Sequence, residues 1–424
     1  GSKLSLTNLY DTTALWELAG HESGIRPDVE THCYEPLDRL LERQAAIQKA
    51  LAKKHLQEGC MILYDITSSY VEGDYTNSEL VAYGYNRDGK RGHEQIVIGL
   101  LTNQEGCPVA VEVFKGNTSD QTTVLGQAKK VAEDYGVKSV VFAGDRGMLT
   151  PKRIEEVTEL GYKTLTALTH PQIRALLEKK VIQLGLFDER NLAEVRDPDQ
   201  PNLRYVLSRN PIIAEEETTT RQALISKATE AFEKLKNRKK KQTEQELSAA
   251  VGKILGRYKV GKFFEWKVDQ SHLEFSLRAE KIEEEKALDG CYIIRTDVAE
   301  TELNTAQVRQ SYKQLAQVEK AFRNLKTVSL EMRPIYHHTD DRIRAHIFLC
   351  MLAYYVQWHM VKQLQPLFES DGKGKNRRWS LDIVLNQLKA IRKTVCTIEK
   401  VPLDIVSTPS SVQQKILDLL NVSL

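Results

Sequence analysis

Residues 61–70 read Met-Ile-Leu-Tyr-Asp-Ile-Thr-Ser-Ser-Tyr. Met61, Ile62, Leu63 and Tyr64 form a short continuous apolar run, the pattern of a strand buried on both faces, and the polar run Thr67-Ser68-Ser69 is expected to break it. Asp65 is thereby delivered to the strand's end. An ionised carboxylate between Tyr64 and Ile66 needs hydrogen bonds, a cation or a metal to offset its desolvation. A lone Asp here would cap the strand end through local backbone bonds. Asp65 is not alone, however. A second apolar run, Ser139-Val140-Val141-Phe142-Ala143, leads into Gly144-Asp145-Arg146-Gly147, and a helical stretch further on presents Glu319. Two strand-end aspartates and one helical glutamate are the parts of a two-metal site, in which oxygen ligands hold two Mg2+ ions, or Mn2+ in their place, on both sides of a phosphodiester.

Outward from this stretch, strands are expected at 61–66, Leu80 to Tyr85, Gln95 to Leu101 and Val109 to Phe114. Turn chemistry lies between them at Asn86-Arg87-Asp88-Gly89 and Asn103-Gln104-Glu105-Gly106. A helix over Asp120 to Tyr135 follows, with Thr118, Ser119 or Asp120 as caps and Val124, Leu125, Ala128 and Val131 on one face. The Asp145 strand, a helix (Pro151 to Leu160) and a strand (Lys163 to Ala167) come next. The order β-β-β-α-β-α-β suits an RNase H-like sheet, with Asp65 and Asp145 on strands made neighbours by a crossover helix.

Thr305 to Val328 reads as one helix. Tyr312, Glu319 and Lys326 are seven apart, so all three project from one face over about 21 Å. Leu315 shares that face and Arg323 lies near it. Without the two aspartates, Glu319 and Arg323 would be an ordinary i,i+4 pair.

These residues carry a resemblance. SYKQLAQVEKAFRNLKT, residues 311–327, places Tyr312, Glu319 and Lys326 at the spacing of the YREK signature of bacterial insertion-sequence DDE transposases of the IS-four type. YDITS around Asp65, GYNRDGKRGHEQIVIGLL at 84–101, FKGNTSDQTT at 114–123, AGDRGM at 143–148, LDGCYIIRTD at 288–297 and RPIYHHTDDRIRAHIFLCMLAYYV at 333–356 resemble blocks of the same group, in the same order. The signature's arginine is Leu315 in this chain, so a hairpin-forming route of strand processing does not follow from the resemblance. What it implies is an enzyme that cleaves DNA at element ends and joins the 3′-OH to target DNA, acting as a homodimer on paired ends in the bacterial cytoplasm, at the nucleoid. Asp65, Asp145 and Glu319 would hold the metals, and Tyr312 and Lys326 the non-scissile phosphates, with Arg323 and Arg146 as further DNA contacts. A nuclease lacking strand transfer and an inactive DNA-binding descendant are the alternatives.

The fold class expected is α/β: an RNase H-like core interrupted by a mixed helical and β-strand insertion, with helical N-terminal and C-terminal regions. Residues 1–58 form a helical region that packs on the core or touches DNA. Residues 59–169 and 298–370 make the two parts of the core, 170–297 the insertion and 371–424 a helical tail, with a helix from Ser380 to Arg392. The insertion is read from the 174 positions between Asp145 and Glu319, more than the core needs. Within it, 214–255 pattern as a helical pair, and KFFEWKV, LEFSLR and CYIIRT as strands. Trp266 in the first of these either packs in a small β core or stacks on a flipped base.

The leading Gly1-Ser2 before Lys3 reads as a tag-removal scar, so a trimmed N-terminus is expected. With 41% hydrophobic and 28% charged residues the composition is neither disordered nor membranous, and Ile347 to Val361, cut by Gln357 and His359, reads as a buried core helix. A formal charge of +2 is small for a nucleic-acid protein. Positive charge is instead local, in Lys234 to Lys241, whose Lys239, Lys240 and Lys241 are candidate DNA contacts, and in Lys373 to Arg378. Six cysteines without a Cys-x-x-Cys pair argue for a reducing compartment and against structural zinc. His337, His338 and His346 read as hydrogen-bonding histidines.

Overall fold

The computed structural model describes residues 3–21, 24–87, 89, 92–183, 192–238, 243–270, 272–328, 330, 332–370, 378–398 and 401–424. The chain divides into two compact units, Gly1–Tyr162 with Lys313–Leu424, and Lys163–Tyr312.

The first unit opens with helices α1 (Lys3–Asn8), α2 (Leu15–Leu18), α3 (Glu35–Glu42) and α4 (Gln44–His55). Strand β1 (Cys60–Tyr70) pairs antiparallel with β2 (Gln95–Asn103), which pairs antiparallel with β3 (Pro108–Lys115). On its other side β1 runs parallel to β4 (Val140–Ala143), giving the order β3-β2-β1-β4. A strand in the middle of such a sheet is covered on both faces, and β1 and β2 are accordingly buried almost throughout. The crossover from β3 to β4 is α5 (Asp120–Glu133), with Ser119 as N-cap and Val124, Ala128 and Val131 buried. Helix α6 (Pro151–Glu159) then buries Ile154 and Val157.

Two local expectations are corrected here. Thr67-Ser68-Ser69 does not break β1, which pairs with β2 as far as Tyr70↔Gln95. The three residues are buried all the same: Ser68 Oγ accepts the Arg87 N–H at 2.9 Å, while Ser69 Oγ is buried without a hydrogen-bond partner. Leu80 to Tyr85 is not a strand. Its bridge to the sheet is the isolated one at Ala82↔Gln95, and the Leu80 carbonyl accepts the Gly116 N–H at 2.8 Å. The Gln95 side-chain amide donates to the Gly116 carbonyl at 2.7 Å and the Tyr85 carbonyl at 3.1 Å, groups that a ladder would otherwise need.

The second unit holds β5 (Lys163–Ala167), α7 (His170–Glu178), β6 (Ala193–Asp197), β7 (Gln200–Arg209), α8 (Pro211–Lys236), α9 (Glu244–Tyr258), β8 (Phe264–Asp269), β9 (His272–Leu277), α10 (Ala279–Lys286), β10 (Cys291–Thr296) and α11 (Thr305–Lys313). Strands β5-β10-β7-β6 form an antiparallel sheet, and β8-β9 a separate hairpin. The helical pair expected from 214–255 is α8 and α9. It closes on the hairpin through Phe232, whose ring lies 5.1 Å from those of Phe264 and Phe275. A buried Arg221–Asp289 ion pair, joined by the Thr218 hydroxyl at 2.6 Å, ties α8 to the turn before β10.

The chain re-enters the first unit at α12 (Leu315–Arg323), followed by a π-helical turn, Asn324–Val328, and then α13 (Asp340–Gln363). The continuous helix expected over Thr305 to Val328 is thus interrupted twice. At Gln314 (ψ −14°) the winding tightens, and the Gln317 N–H bonds back only three residues, to the Gln314 carbonyl at 2.8 Å. Helix α13 is the buried core helix anticipated, with Ile343, Ile347, Phe348 and Met351 inside, packed on β3 and α3. Among the described residues no helix is long and apolar enough to cross a membrane.

The tail adds α14 (Gln365–Glu369), α15 (Leu381–Leu388), β11 (Lys393–Ile398), β12 (Val401–Val406) and α16 (Ser411–Leu420). An all-helical tail is therefore corrected. Thr394, Val395, Thr397, Ile398, Val401, Ile405 and Val406 are β-branched, and they form an antiparallel hairpin instead.

Candidate active site

Asp65 is positioned by sheet register. In the parallel pair, Cys60, Met61, Ile62 and Leu63 oppose Val140, Val141, Phe142 and Ala143. Two further steps along both chains bring Asp65 beside Asp145. Strand β4 ends at Ala143 while β1 continues, so Asp65 lies in mid-strand but just past the end of its parallel neighbour. Side chains at the carboxyl end of a parallel strand face the crevice where the chain leaves the sheet. Gly144 lies against both: a Cβ there would stand in ordinary contact, 3.7 Å from the Tyr64 carbonyl, and 3.3 Å from the Leu149 side chain. The Asp145 carbonyl then accepts the N–H groups of Met148 at 2.9 Å and Leu149 at 3.1 Å, a tight turn that leaves the Asp145 and Arg146 side chains exposed.

Glu319 comes from α12. Val318, Ala321 and Phe322 bury one face of that helix, which packs on β1 and β2, and Glu319 stays exposed. The approach depends on Gly106 in the β2–β3 turn. Its φ of +81° suits glycine, and a Cβ there would lie 2.8 Å from the Gln317 Cβ.

The electrostatics join the three acids. Burial pushes the Asp65 carboxyl up from its ordinary 3.8 to about 7; the Ile66 N–H opposes this, while the negative charges of Asp145 and Glu319 add to it and Arg87 offsets part of it. Arg87 is a participant the sequence reading missed, having used it only as part of a turn. Its guanidinium pairs with the Asp120 carboxylate at the start of α5, and its backbone N–H is held by Ser68. No spacing rule would have found it, because a long loop brings it back to β1.

The remaining candidates are dispersed. Arg323, at the end of α12, is exposed. Lys326 is only 8% exposed and lies in the π-helical turn. A wider helical turn also shifts its azimuth, so a seven-residue period from Glu319 no longer places it on the same face. Tyr312 is half-buried near the end of α11, and Trp266 is 38% exposed on β8, where it pairs across the hairpin with Phe275; both belong to the second unit. Lys239, Lys240 and Lys241 lie outside the described residues. His346 is occupied by hydrogen bonding, Nε2 to the Met332 carbonyl at 3.0 Å and Nδ1 to Lys3 at 3.3 Å.

Residues 57–356 match the family described as "transposase DDE domain". The chain belongs to the transposase DDE domain family. That match begins just before β1 and ends within α13, so Asp65, Asp145 and Glu319 all fall inside it. Solved structures similar to the chain include a Mos1 transposase paired-end complex with the left transposon end (12% identity, TM-score 0.18) and a Mos1 mariner paired-end complex with Mn (14% identity, TM-score 0.18). Each alignment covers 38% of this chain and 56% of the other, so the match spans little more than half the length of those proteins. No curated protein sequence matches the chain.

Proposed function

We propose that this DDE domain is the catalytic region of an insertion-sequence transposase of the IS-four type, cleaving DNA at element ends and joining the freed 3′-OH to target DNA. The observation that carries the reading is the convergence of Asp65, Asp145 and Glu319 from β1, the end of β4 and α12 inside a transposase DDE domain. The donor set fits divalent cations. Burial, and after it the negative charges of Asp145 and Glu319, hold Asp65 against ionisation, a cost that bound cations would offset, and all the donors are hard oxygens. Bound there, two Mg2+ ions, or Mn2+ in their place, would activate a water or a 3′-OH and stabilise the leaving oxygen of an in-line displacement.

In this reading the protein orients both strands around the acids. Arg146 follows Asp145 directly, and Arg323 lies one turn beyond Glu319, so each can bind a phosphate flanking the scissile one. Tyr312, Lys239, Lys240, Lys241 and Trp266 are proposed as contacts further along the element end. Lys326 reaches a phosphate only when the π-helical turn that buries it opens. The RNase H-like core is taken as 59–169 with 298–370, the 170–297 segment as an insertion that handles the DNA end, and 1–58 and 371–424 as flanking regions. Two copies acting on paired ends, in a bacterial cytoplasm at the nucleoid, complete the proposal.

The test is a Mg2+-dependent reaction of the purified chain with its element's end DNA and a supercoiled plasmid, resolving nicked, double-cut and joined products. Joined product from the wild type, and none from Glu319→Ala with DNA binding retained, is the expected result. Cutting without joining would assign a nuclease instead, and binding without either would assign an inactive DNA-binding protein.

A further inference from the structure

Away from the three carboxylates, the first unit gathers His55, Cys107 and His359, with one ligand atom of each within 4.8 Å of the other two. His55 ends α4, Cys107 is fully buried in the β2–β3 turn, and His359 lies toward the end of α13. Two imidazoles and one thiol are the donors preferred by tetrahedral Zn2+ and its spectroscopic substitute Co2+. In such a site sulfur and nitrogen donors stand about 3.5 Å apart, so the cluster would close by about 1.5 Å at most.

Two further observations point to a ligand. The Nε2 atom of His359 is buried and has no hydrogen-bond partner, a state that buried polar atoms ordinarily avoid. The Tyr355 hydroxyl lies 2.9 Å from His55 Nε2, the kind of outer partner that fixes the orientation of a ligating imidazole. A solvent-open cleft of about 470 Å³ adjoins them, lined among others by Cys60, Glu105 and Lys362, and gives an ion a path inward. Lys54 and Lys362 oppose a cation here. Glu105, paired with Lys362 at 2.7 Å, offsets one of those charges, and ionised Cys107 would offset the other.

We propose that His55, Cys107 and His359 bind a divalent cation of the Zn2+ class, with Glu105 or a water completing the tetrahedron, and that the ion staples α4 and α13 to the β2–β3 turn. Binding replaces the Cys107 S–H bond with a sulfur–metal bond and releases one proton to solvent. The staple also bears on α12, because Gly106, the residue before Cys107, is where that helix rests on the turn. The site is separate from the carboxylates and does not depend on the proposed transposition chemistry.

Co2+ titration of the full chain under reducing conditions, with Mg2+ in excess to compete at the oxygen ligands, tests the assignment. One equivalent should bind with a thiolate-to-cobalt charge-transfer band and be displaced by Zn2+. The band should vanish in Cys107→Ser and persist in Cys60→Ser and in Glu319→Ala. His359→Gln should weaken Zn2+ binding by more than about 100-fold, the upper end of what loss of an outer partner alone costs. Absence of a thiolate band in the wild type, a reading that needs no variant to fold, overturns the proposal. A band unchanged in Cys107→Ser overturns it as well.

Discussion

Asp65 ionises near 3.8 in an unfolded chain and near 7 in the metal-free fold, so the folded state binds the extra proton across that window. The sign follows directly. Stability of the metal-free protein declines as pH rises from about 3.8 to about 7 and is level above it. Melting temperatures of the wild type and Asp65→Asn, measured without divalent ions from pH 4 to 8, should diverge in favour of Asn through that window; parallel curves would remove Asp65 from the buried cluster. Divalent affinity should move the other way, rising about tenfold per pH unit from pH 5 to 7 as one proton is displaced, then levelling. Isothermal titration with Mn2+ at four pH values would measure this, and a flat profile would count against it. Arg87→Gln should raise the Asp65 midpoint further and weaken Mn2+ binding at pH 6, because it deletes a cation whose charge lowers that pKa. An unchanged midpoint would confine Arg87 to its pairing with Asp120. At this scale the sequence marks the acids well, since a carboxylate inside MILYDI is conspicuous. It is silent on Arg87, whose relation to Asp65 exists only once the loop after β1 folds back.

Between elements, the contact of α12 with the β2–β3 turn decides whether Glu319 faces the aspartates. Gly106→Val combines a left-handed backbone with a collision against Gln317, and should cost about 2–4 kcal/mol in denaturant unfolding. Cleavage should fall more steeply than stability, because a displaced α12 moves Glu319, a proposed metal ligand. Full cleavage in a destabilised Gly106→Val would show that α12 is positioned elsewhere. The strands and helices around Asp65 follow from periodicity and turn residues. What periodicity did not foresee are the points where a side chain competes with the backbone ladder or the winding changes: Gln95 taking carbonyls beside 80–85, Gln314 tightening the helix before Glu319, and the π turn that buries Lys326.

For the molecule as a whole, the two units assign the acids to one body and Tyr312 and Trp266 to the other. If the second unit handles the DNA end, its basic run should act through charge alone. Reversing Lys239, Lys240 and Lys241 to Glu should then weaken end-DNA binding and flatten the slope of log K against log salt by about 3. Unchanged binding at every salt concentration would return the run to an ordinary solvated surface. The amino-acid sequence by itself pointed to β1, β2 and β3 followed by α-β-α-β, with one surplus strand at 80–85, to Asp65, Asp145 and Glu319 as candidate acids, and to the helical pair at 214–255. These depend on local period, turn chemistry and residue type, all of which are written along the chain. The tertiary structure alone decided that β1 outruns β4 to leave Asp65 beside Asp145, that Arg87 returns to them, and that His55, Cys107 and His359 meet across separations of 52 and 252 residues. Such meetings are set by register and packing between distant segments, and no periodicity within a segment encodes them.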